Sequence, residues 1–316
     1  MNYIVIHSIN SLGGAERVLQ KILAEFSYTQ YTIVTLDKRL PGKYYEEFNC
    51  LNIISLSKES KVNVMNSLLL IYRFIKSIDP LNDKIIGFLW RAYLPIAIIS
   101  LFTKLGTKSF YIMEHLVPEH YSNLFNRLLK FCFKQARHVY FISKYALEEF
   151  DVSNGEVLYN YLDVPTKAPV KTSNGKVIWI GRNCYQKNIG DLMSFAKINY
   201  ELTFDVFGFQ EREFIDTPNN IKIKGKVNQI DYSEYEYLLI TSHYESQALV
   251  VHEALSNGLS VICREGLYPF IKEFYPKHTL LLYDKDYRWS LSQKQENYFW
   301  NYNNEIKIKW EELLTK

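Results

Sequence analysis

The sequence predicts an α/β protein built from two doubly wound halves. Short apolar runs, typical of buried parallel strands, alternate along the chain with longer amphipathic patterns that are typical of helices. The length of 316 residues suits two domains of about 150 residues each. A polar stretch with two prolines, Pro165–Gly175, lies near the middle and predicts a linker between the halves.

The first half opens with a strand, a glycine turn and a helix. Tyr3–Ile9 is an apolar run, as in a parallel strand covered on both faces, and Ala15–Phe26 carries one apolar stripe. Gly13 and Gly14 lie between them, where they either bring the backbone close to a ligand or form a tight packing turn. Further strands are predicted at Tyr31–Leu36, Asn52–Leu56, Lys84–Leu89, Ser109–Met113 and Val139–Ser143, and helices at Val64–Ile78 and Tyr121–Phe133.

Two polar residues, Glu114 and His115, follow one of these strands. Ligands of doubly wound sheets bind beyond the carboxyl ends of the strands. A histidine there either donates a hydrogen bond to a substrate hydroxyl or phosphate, or only finishes the strand.

The second half repeats the alternation and begins with a strand at Lys176–Ile180. The loop that follows contains Arg182 and Lys187, which either hold a diphosphate or are solvated basic side chains. The later strands are predicted at Leu202–Phe207, Ile221–Lys224, Tyr237–Thr241, Ser260–Cys263 and Thr279–Tyr283, and a terminal helix at Tyr298–Leu314.

Two glutamates, Glu245 and Glu253, stand eight positions apart between a strand and a helix pattern. If Glu245 lies in the loop and Glu253 in the helix, both can face one site, with the Ser246–Val250 amides near the anion-binding end of the helix. The alternative is a surface helix with two solvated carboxylates.

Composition gives the broad class of the protein. A net charge of +3, with 47% hydrophobic and 22% charged residues, is ordinary for a globular protein and indicates no nucleic-acid partner. Four widely spaced cysteines without a C-x-x-C pair predict reduced thiols and a cytoplasmic protein, not a disulfide framework or zinc site. The N-terminus is interpreted as a strand and not as a signal peptide.

The sequence also bears on membrane contact. The apolar runs Leu68–Ile71 and Leu94–Phe102 are far shorter than the ~18 residues that a membrane span needs. Asn126–Tyr145 interleaves basic and aromatic residues, so it either rests on an anionic membrane or is a core helix and strand with solvated lysines. The expected location is the cytoplasm, or the inner face of the membrane.

Five motifs, in this order, resemble those of glycosyltransferase family 4. They are Gly13-Gly14-Ala15-Glu16-Arg17, Glu114-His115, Asn160-Tyr161-Leu162-Asp163, Gly181-Arg182 with Lys187, and the E-x7-E pair Glu245 and Glu253. The resemblance implies the GT-B fold, in which two Rossmann-like doubly wound domains face each other across a cleft. It places an acceptor-side domain at 1–165, a nucleotide-sugar-binding domain at 166–297, and a helix at 298–316 that crosses back to the first domain.

The resemblance also implies catalytic roles. Arg182 and Lys187 would bind the donor diphosphate and stabilise charge on the leaving group. Glu253 would bind the ribose hydroxyls, and Glu245 and His115 would lie by the donor sugar. Single donors of this kind contribute ~3 kcal/mol to catalysis, so side chains and amides can stabilise the developing charge without a metal. The resemblance accordingly implies no metal and no other cofactor.

Further donor contacts follow from the same resemblance. The amides of Ala248, Leu249 and Val250 would lie near the phosphate, the Gly13-Gly14 loop near the diphosphate or acceptor, and Val227 near the base. The sequence departs from the family near Gln247–Ala248, where many members have Gly or Pro.

The implied activity is that of a retaining hexosyltransferase with a UDP-linked donor. Its acceptor would be a glycan or lipid-linked saccharide in the synthesis of bacterial surface polysaccharide, lipopolysaccharide or capsule. Two alternatives stay open: a non-catalytic sugar- or nucleotide-binding regulator with the same fold, and a metal-dependent transferase that uses Asp284 and Asp286.

Overall fold

The computed structural model describes residues 1–10, 13–26, 31–38, 52–59, 61–79, 82–103, 109–162, 173–208, 217–227, 230–289 and 303–315. The chain divides into two compact units. Unit 1 comprises Met1–Leu162 with Asn301–Lys316, and unit 2 comprises Asp163–Trp300. Most of the linker predicted at Pro165–Gly175 lies outside the described residues, as do the first residues of the predicted terminal helix.

Unit 1 is built around a parallel sheet of seven strands, in the order β3-β2-β1-β4-β5-β6-β7. The strands are β1 Asn2–Ile6, β2 Tyr31–Thr35, β3 Asn52–Ser55, β4 Lys84–Phe88, β5 Phe110–Glu114, β6 His138–Phe141 and β7 Gly155–Val157. The helices are α1 Gly14–Glu25, α2 Val64–Ser77, α3 Trp90–Ser100, α4 Asn123–Phe133 and α5 Lys144–Phe150. Strand order reverses between β1 and β4, which makes this position the topological switch point.

The strand order determines which face of the sheet each helix covers. The crossover from β1 to β2 runs toward the β3 edge of the sheet, and the crossovers from β3 to β4 and onward to β7 run toward the β7 edge. Right-handed crossovers therefore place α1 on one face and α2 to α5 on the other. In agreement, α2 packs on α3 and α3 packs on α4.

A C-terminal helix, α9 (Asn303–Thr315), completes unit 1. Its apolar face is buried, and the Trp310 indole donates to the Tyr159 carbonyl over 2.9 Å. The carbonyls near its end accept from Tyr31 and Lys84, which lie on the sheet.

Unit 2 contains a parallel sheet of six strands in the order β10-β9-β8-β11-β12-β13. The strands are β8 Lys176–Ile180, β9 Thr203–Phe207, β10 Ile221–Gly225, β11 Tyr237–Ile240, β12 Ser260–Arg264 and β13 Leu280–Tyr283, with helices α6 Ile189–Ile198, α7 Leu249–Ser256 and α8 Tyr268–Ile271. Its core is rich in aromatic residues, including Trp179, Phe195 and Phe204. The switch point of this sheet lies between β8 and β11.

The predicted class, two Rossmann-like parallel sheets with surrounding helices and a helix at the C-terminus, is confirmed. The short strand β7 was not predicted. The apolar run Leu94–Phe102 belongs to α3, a buried helix that contains Pro95. Among the described residues, no helix has both the length and the apolar character needed to cross a membrane.

Candidate functional site

The candidate site of unit 2 is formed by two loops at its switch point. One loop, 181–188, follows β8, and the other, 241–248, follows β11. Because β8 and β11 are parallel neighbours, both loops leave the same edge of the sheet. This is the position at which open α/β sheets bind ligands.

A chain of hydrogen bonds fixes the two loops to each other. The Trp179 indole donates to the Thr241 hydroxyl over 3.0 Å, and that hydroxyl donates to the Lys187 carbonyl over 2.8 Å. The backbone amide of His243 donates to the Gln186 carbonyl over 2.8 Å. Trp179 and Thr241 are both buried, so the Lys187 backbone is held from the core of the unit.

Lys187 and Glu245 form the ionic pair of this site. The Lys187 ammonium lies 2.5 Å from Glu245 Oε1, and the Ser242 hydroxyl donates to the same oxygen over 2.7 Å. The side chains of Lys187 and Glu245 are only 16% and 9% exposed. Glu245 Oε2 accepts no hydrogen bond from any residue that the structure describes, so one carboxylate oxygen is fixed and the other is available.

Arg182 lies on the same loop as Lys187 but in a different environment. Its side chain is exposed, and within the described ranges no acid or carbonyl pairs with it. The planar guanidinium is therefore a cation available to an anion such as a phosphate.

Helix α7 begins next to this pair. Ala248 precedes the helix in the left-handed conformation, with φ 54° and ψ 60°. The buried Tyr275 hydroxyl fixes the turn by donating to the Gln247 and Ala248 carbonyls over 3.0 and 3.2 Å. Alanine thus makes the turn near the place where members of glycosyltransferase family 4 often have Gly or Pro. The first amides of α7, from Leu249 and Val250, have no partners within the helix.

Glu253 lies within α7 and is half-buried. Its Oε2 accepts from the Tyr232 hydroxyl over 2.7 Å, and its Oε1 has no partner in the part of the chain that the structure describes. Val227 follows β10 and is 42% exposed. It makes no described contact with either glutamate.

A second polar cluster borders the 241–248 loop. The Arg264 guanidinium lies 3.0 Å from His243 Nδ1 and 3.1 Å from the Asp191 carboxylate, and the Tyr185 ring stacks on His243 with centroids 4.5 Å apart. Burial, together with the Arg264 charge, lowers the pKa of His243. The imidazole is therefore neutral at pH 7.

In unit 1, Glu114 and His115 are buried at the carboxyl end of β5. Glu114 accepts from the Leu116 amide over 2.9 Å and from the Tyr93 hydroxyl, and burial raises its pKa to about 7. His115 packs against the Phe88 ring, and burial lowers its pKa to about 3. Its Nε2 has no hydrogen-bond partner among the described residues.

The glycine turn of unit 1 precedes α1 at the other switch point. The Gly13 amide donates to the Glu16 carboxylate over 3.0 Å, and both Gly13 and Gly14 are exposed. Residues 11 and 12 lie outside the described residues.

The sequence reasoning missed two polar residues at the carboxyl ends of the strands of unit 1. His7 follows β1 and Asp37 follows β2, and within the described ranges His7 Nδ1 and Asp37 Oδ1 are buried without partners. Their position directly after buried strands was the signal that could have identified them.

The structure therefore brings together some of the predicted site residues. Lys187 and Glu245 are in contact, Arg182 shares their loop, and the start of α7 adjoins them in the chain. Gly13, Gly14 and His115 belong to unit 1. Asp284 and Asp286 form an exposed turn, and no described cluster of three or more His, Cys, Asp or Glu residues could hold a metal ion.

Comparisons with known proteins give structural relatives only. No protein-family model matches the chain, and no curated protein matches it. The solved structure of TarM, known from S. aureus, has a TM-score of 0.71 at 12% identity over 99% of this chain and 91% of its own. Alr3699/HepE of Anabaena in complex with UDP-glucose has a TM-score of 0.67 at 16% identity, over 99% and 90%.

A third relative is WaaG, a glycosyltransferase involved in lipopolysaccharide biosynthesis, with a TM-score of 0.61 at 12% identity over 99% of this chain and 93% of its own. These neighbours share both parallel-sheet units and nearly the full length of the chain. The chain has the GT-B fold. At these identities, structural likeness establishes the fold and does not establish the roles of individual residues.

Proposed function

We propose that the chain is a retaining glycosyltransferase that transfers a hexose from a UDP-linked donor to a glycan or lipid-linked acceptor. The observation that carries the proposal is the Lys187–Glu245 pair at the switch point of unit 2. Arg182, which pairs with no described residue, lies on the same loop. This arrangement provides two cations and an open carboxylate oxygen where a GT-B sheet binds its ligand.

The charges suit a nucleoside diphosphate leaving group. Cleavage of the anomeric C–O bond builds negative charge on the diphosphate and positive charge on the sugar ring. An ammonium has three donors, so Lys187 can keep one on Glu245 and direct another to a phosphate oxygen. Arg182 adds a planar fork for the same group, and pre-positioned donors of this type supply much of the catalysis of such reactions.

The two glutamates have different tasks in this proposal. Glu245 accepts from a sugar hydroxyl through Oε2, because Oε1 is held by Lys187 and Ser242. Glu253, fixed by Tyr232, accepts from the ribose hydroxyls through Oε1. The amides of Leu249 and Val250 bind a phosphate at the start of α7, and Val227 contacts the base.

The donor and acceptor classes are suggested by the relatives. HepE was solved with UDP and with UDP-glucose, and TarM was solved with UDP. WaaG and the galactosyltransferase WaaB belong to lipopolysaccharide synthesis. Bacterial surface polysaccharide, lipopolysaccharide or capsule is accordingly the proposed product class. In unit 1, the neutral His115 is proposed to bind the donor sugar, and the Gly13-Gly14 loop to bind the diphosphate or acceptor.

Thermal unfolding with a panel of nucleotide sugars, in the presence of EDTA, tests donor binding. A ligand at 100 times its dissociation constant adds about 2.7 kcal/mol to the free energy of unfolding, which is a readily measured shift. We expect UDP and a UDP-hexose to stabilise the protein, and Arg182→Ala to reduce the shift. Absence of a shift with every nucleotide would contradict the proposed donor site.

Product analysis distinguishes the transferase from its alternatives. Release of UDP reports turnover. The anomeric signal in the NMR spectrum of the product, axial or equatorial, reports retention when it shows the same anomeric configuration as the donor. Binding without turnover for any acceptor would favour a sugar-binding regulator. Activity that EDTA removes and manganese restores would favour a metal-dependent transferase.

A further inference from the structure

Four side chains from different parts of unit 2 form a connected cluster beside the candidate site. Arg264 ends β12, Asp191 lies in the first turn of α6, Tyr185 lies in the 181–188 loop, and His243 lies in the 241–248 loop. We call this group the Arg264 cluster. None of its side chains has a role in the proposed function.

The guanidinium of Arg264 determines the state of the His243 ring. Its Nη1 atom lies 3.0 Å from His243 Nδ1. A guanidinium can only donate hydrogen bonds, so Nδ1 must accept and carries no proton. The ring proton is therefore on Nε2, and the imidazole is neutral. Protonation of Nδ1 would replace this hydrogen bond by contact between two cations.

The guanidinium is also held by a second partner. Arg264 Nε lies 3.1 Å from the Asp191 carboxylate, which accepts from the Tyr287 hydroxyl over 3.3 Å. The side chains of Arg264 and Asp191 are 34% and 21% exposed. Asp191 belongs to the helix that begins directly after the 181–188 loop. Arg264 therefore links the end of β12, the start of α6 and the 241–248 loop.

His243 connects the two loops of the candidate site through two separate contacts. Its ring stacks on the Tyr185 ring with 4.5 Å between centroids and 25° between planes, and its backbone amide donates to the Gln186 carbonyl over 2.8 Å. Lys187 follows Gln186 in the chain, and Glu245 lies two residues after His243. A displacement of His243 would therefore change the separation of the two backbones that carry the Lys187–Glu245 pair.

We propose that Arg264 and His243 are positioning residues of the nucleotide site. Arg264 holds the neutral His243 ring against Tyr185, and His243 in turn sets the spacing of the 181–188 and 241–248 loops. The proposal rests on the proposed function, because it assumes that these two loops bind a nucleoside diphosphate.

The same pairing makes the site depend on pH. The charged and titratable groups that face the His243 ring are Arg264 and Tyr185, which contact it, and Asp191, which lies behind Arg264. Burial and the Arg264 charge lower the pKa of His243, and the Asp191 carboxylate partly opposes them. The Arg264–His243 hydrogen bond should therefore be intact at pH 7 and should be lost as the pH falls through that lowered pKa.

The first test is NMR spectroscopy of the full chain without any ligand. In protein with ¹⁵N-labelled histidine, the ring signal that disappears in His243→Asn belongs to His243. This signal should show a proton on Nε2 and should titrate below the ordinary pKa of about 6.5. Arg264→Met should raise that pKa and should speed hydrogen exchange of the His243 amide about tenfold. A proton on Nδ1, or an exchange rate that Arg264→Met leaves unchanged, would overturn the proposal.

The second test is calorimetric titration with UDP at pH 7, which measures the effect of positioning on binding. Arg264→Met should weaken UDP binding about tenfold, as expected for residues in one hydrogen-bond network. His243→Asn places an amide oxygen near Nδ1 and should keep most of the affinity, while His243→Phe keeps a ring without an acceptor and should match Arg264→Met. The matched control is Lys176→Met, which should bind normally, because Lys176 pairs with Glu234 at the opposite edge of the same sheet.

Two comparisons separate positioning from a general structural role. The double variant Arg264→Met with His243→Phe should bind UDP about as well as either single variant, because both residues act through one contact. Additive losses would mean that Arg264 contacts the nucleotide directly and would overturn the proposal. Below about pH 6.5, the affinity of the wild type should fall relative to that of His243→Asn. The ratio of the two affinities removes the titration of the UDP phosphate itself, whose second pKa is about 6.

The UDP results also distinguish failure of this proposal from failure of the proposed function. A wild-type protein that binds no UDP would refute the proposed function, and the positioning role with it. A wild-type protein that binds UDP, beside an Arg264→Met variant of equal affinity, would overturn the positioning role alone.

Discussion

Replacement of Lys187 by methionine tests whether the buried pair of unit 2 serves chemistry or only stability. Lys187 and Glu245 are 16% and 9% exposed, and the ammonium is one of two donors to Glu245 Oε1. Lys187→Met leaves a buried carboxylate with Ser242 as its single described partner. Breaking a fully buried pair costs about 3–5 kcal/mol, and the remaining exposure of this pair reduces the expected loss to about 2–3 kcal/mol.

Activity should fall for a separate reason. If Lys187 stabilises charge on the leaving diphosphate, its loss should lower kcat by about two orders of magnitude, the usual effect of removing one such donor. The double variant Lys187→Met with Glu245→Gln separates the two effects. A neutral glutamine removes the unpaired charge and still accepts from Ser242, so the double variant should come within about 1 kcal/mol of wild-type stability while remaining inactive.

Urea unfolding and UDP release at saturating donor measure the two quantities. Lys224→Met is the control, because Lys224 pairs with Asp205 at 3.3 Å while 43% exposed, and exposed pairs contribute less than about 1 kcal/mol. A double variant with wild-type kcat would refute the catalytic role of Lys187 and leave a purely structural pair. A Lys187→Met protein of unchanged stability would refute the energetic assignment.

Three further predictions concern single features. Ala248→Gly should raise the free energy of unfolding by up to about 1 kcal/mol, because it relieves a left-handed alanine, and a measured loss would contradict this. Burial raises the pKa of Glu114 from 4.5 to about 7, so the folded chain retains a proton that the unfolded chain releases. The free energy of unfolding should therefore fall as the pH rises through this interval, by on the order of 3 kcal/mol relative to that of Glu114→Gln. Burial of His115 makes the opposite contribution, but it does so in both proteins, so the difference between them isolates the effect of Glu114. Identical pH profiles would count against this. Trp310→Ala should cost about 3–5 kcal/mol in urea unfolding, because the indole is buried and donates to Tyr159, and a loss below 1 kcal/mol would mean that α9 contributes little.

The fold was predictable because its signals are local. Each buried strand of a parallel sheet is a short apolar run, and each covering helix has its own stripe, so alternation alone indicated two doubly wound units. The strand β7 was missed because Gly155–Val157 is too short and too polar to show a period. Helix α3 contains Pro95 and is apolar nearly all round, which obscures helical periodicity.

The site was only partly predictable because its contacts are not local. Arg182, Lys187 and the two glutamates were identified by spacing and resemblance, but the pairing of Lys187 with Glu245 depends on β8 lying beside β11. Strand order is set by the packing of the whole unit and has no signature in either loop. The Tyr232–Glu253 hydrogen bond escaped prediction for the same reason, since it joins residues 21 positions apart.

The surroundings of the glutamates also bear on the proposed mechanism. A carboxylate oxygen that acts as a covalent nucleophile needs a lone pair free to attack, and each hydrogen bond that it accepts occupies a lone pair. Glu245 instead receives an ammonium and a hydroxyl on Oε1, and its side chain is almost fully buried. In the proposed function its open Oε2 accepts from a sugar hydroxyl. Glu253, without a described cation, can likewise accept from neutral hydroxyls. The proposed function accordingly gives both glutamates positioning roles and assigns charge stabilisation to Arg182 and Lys187.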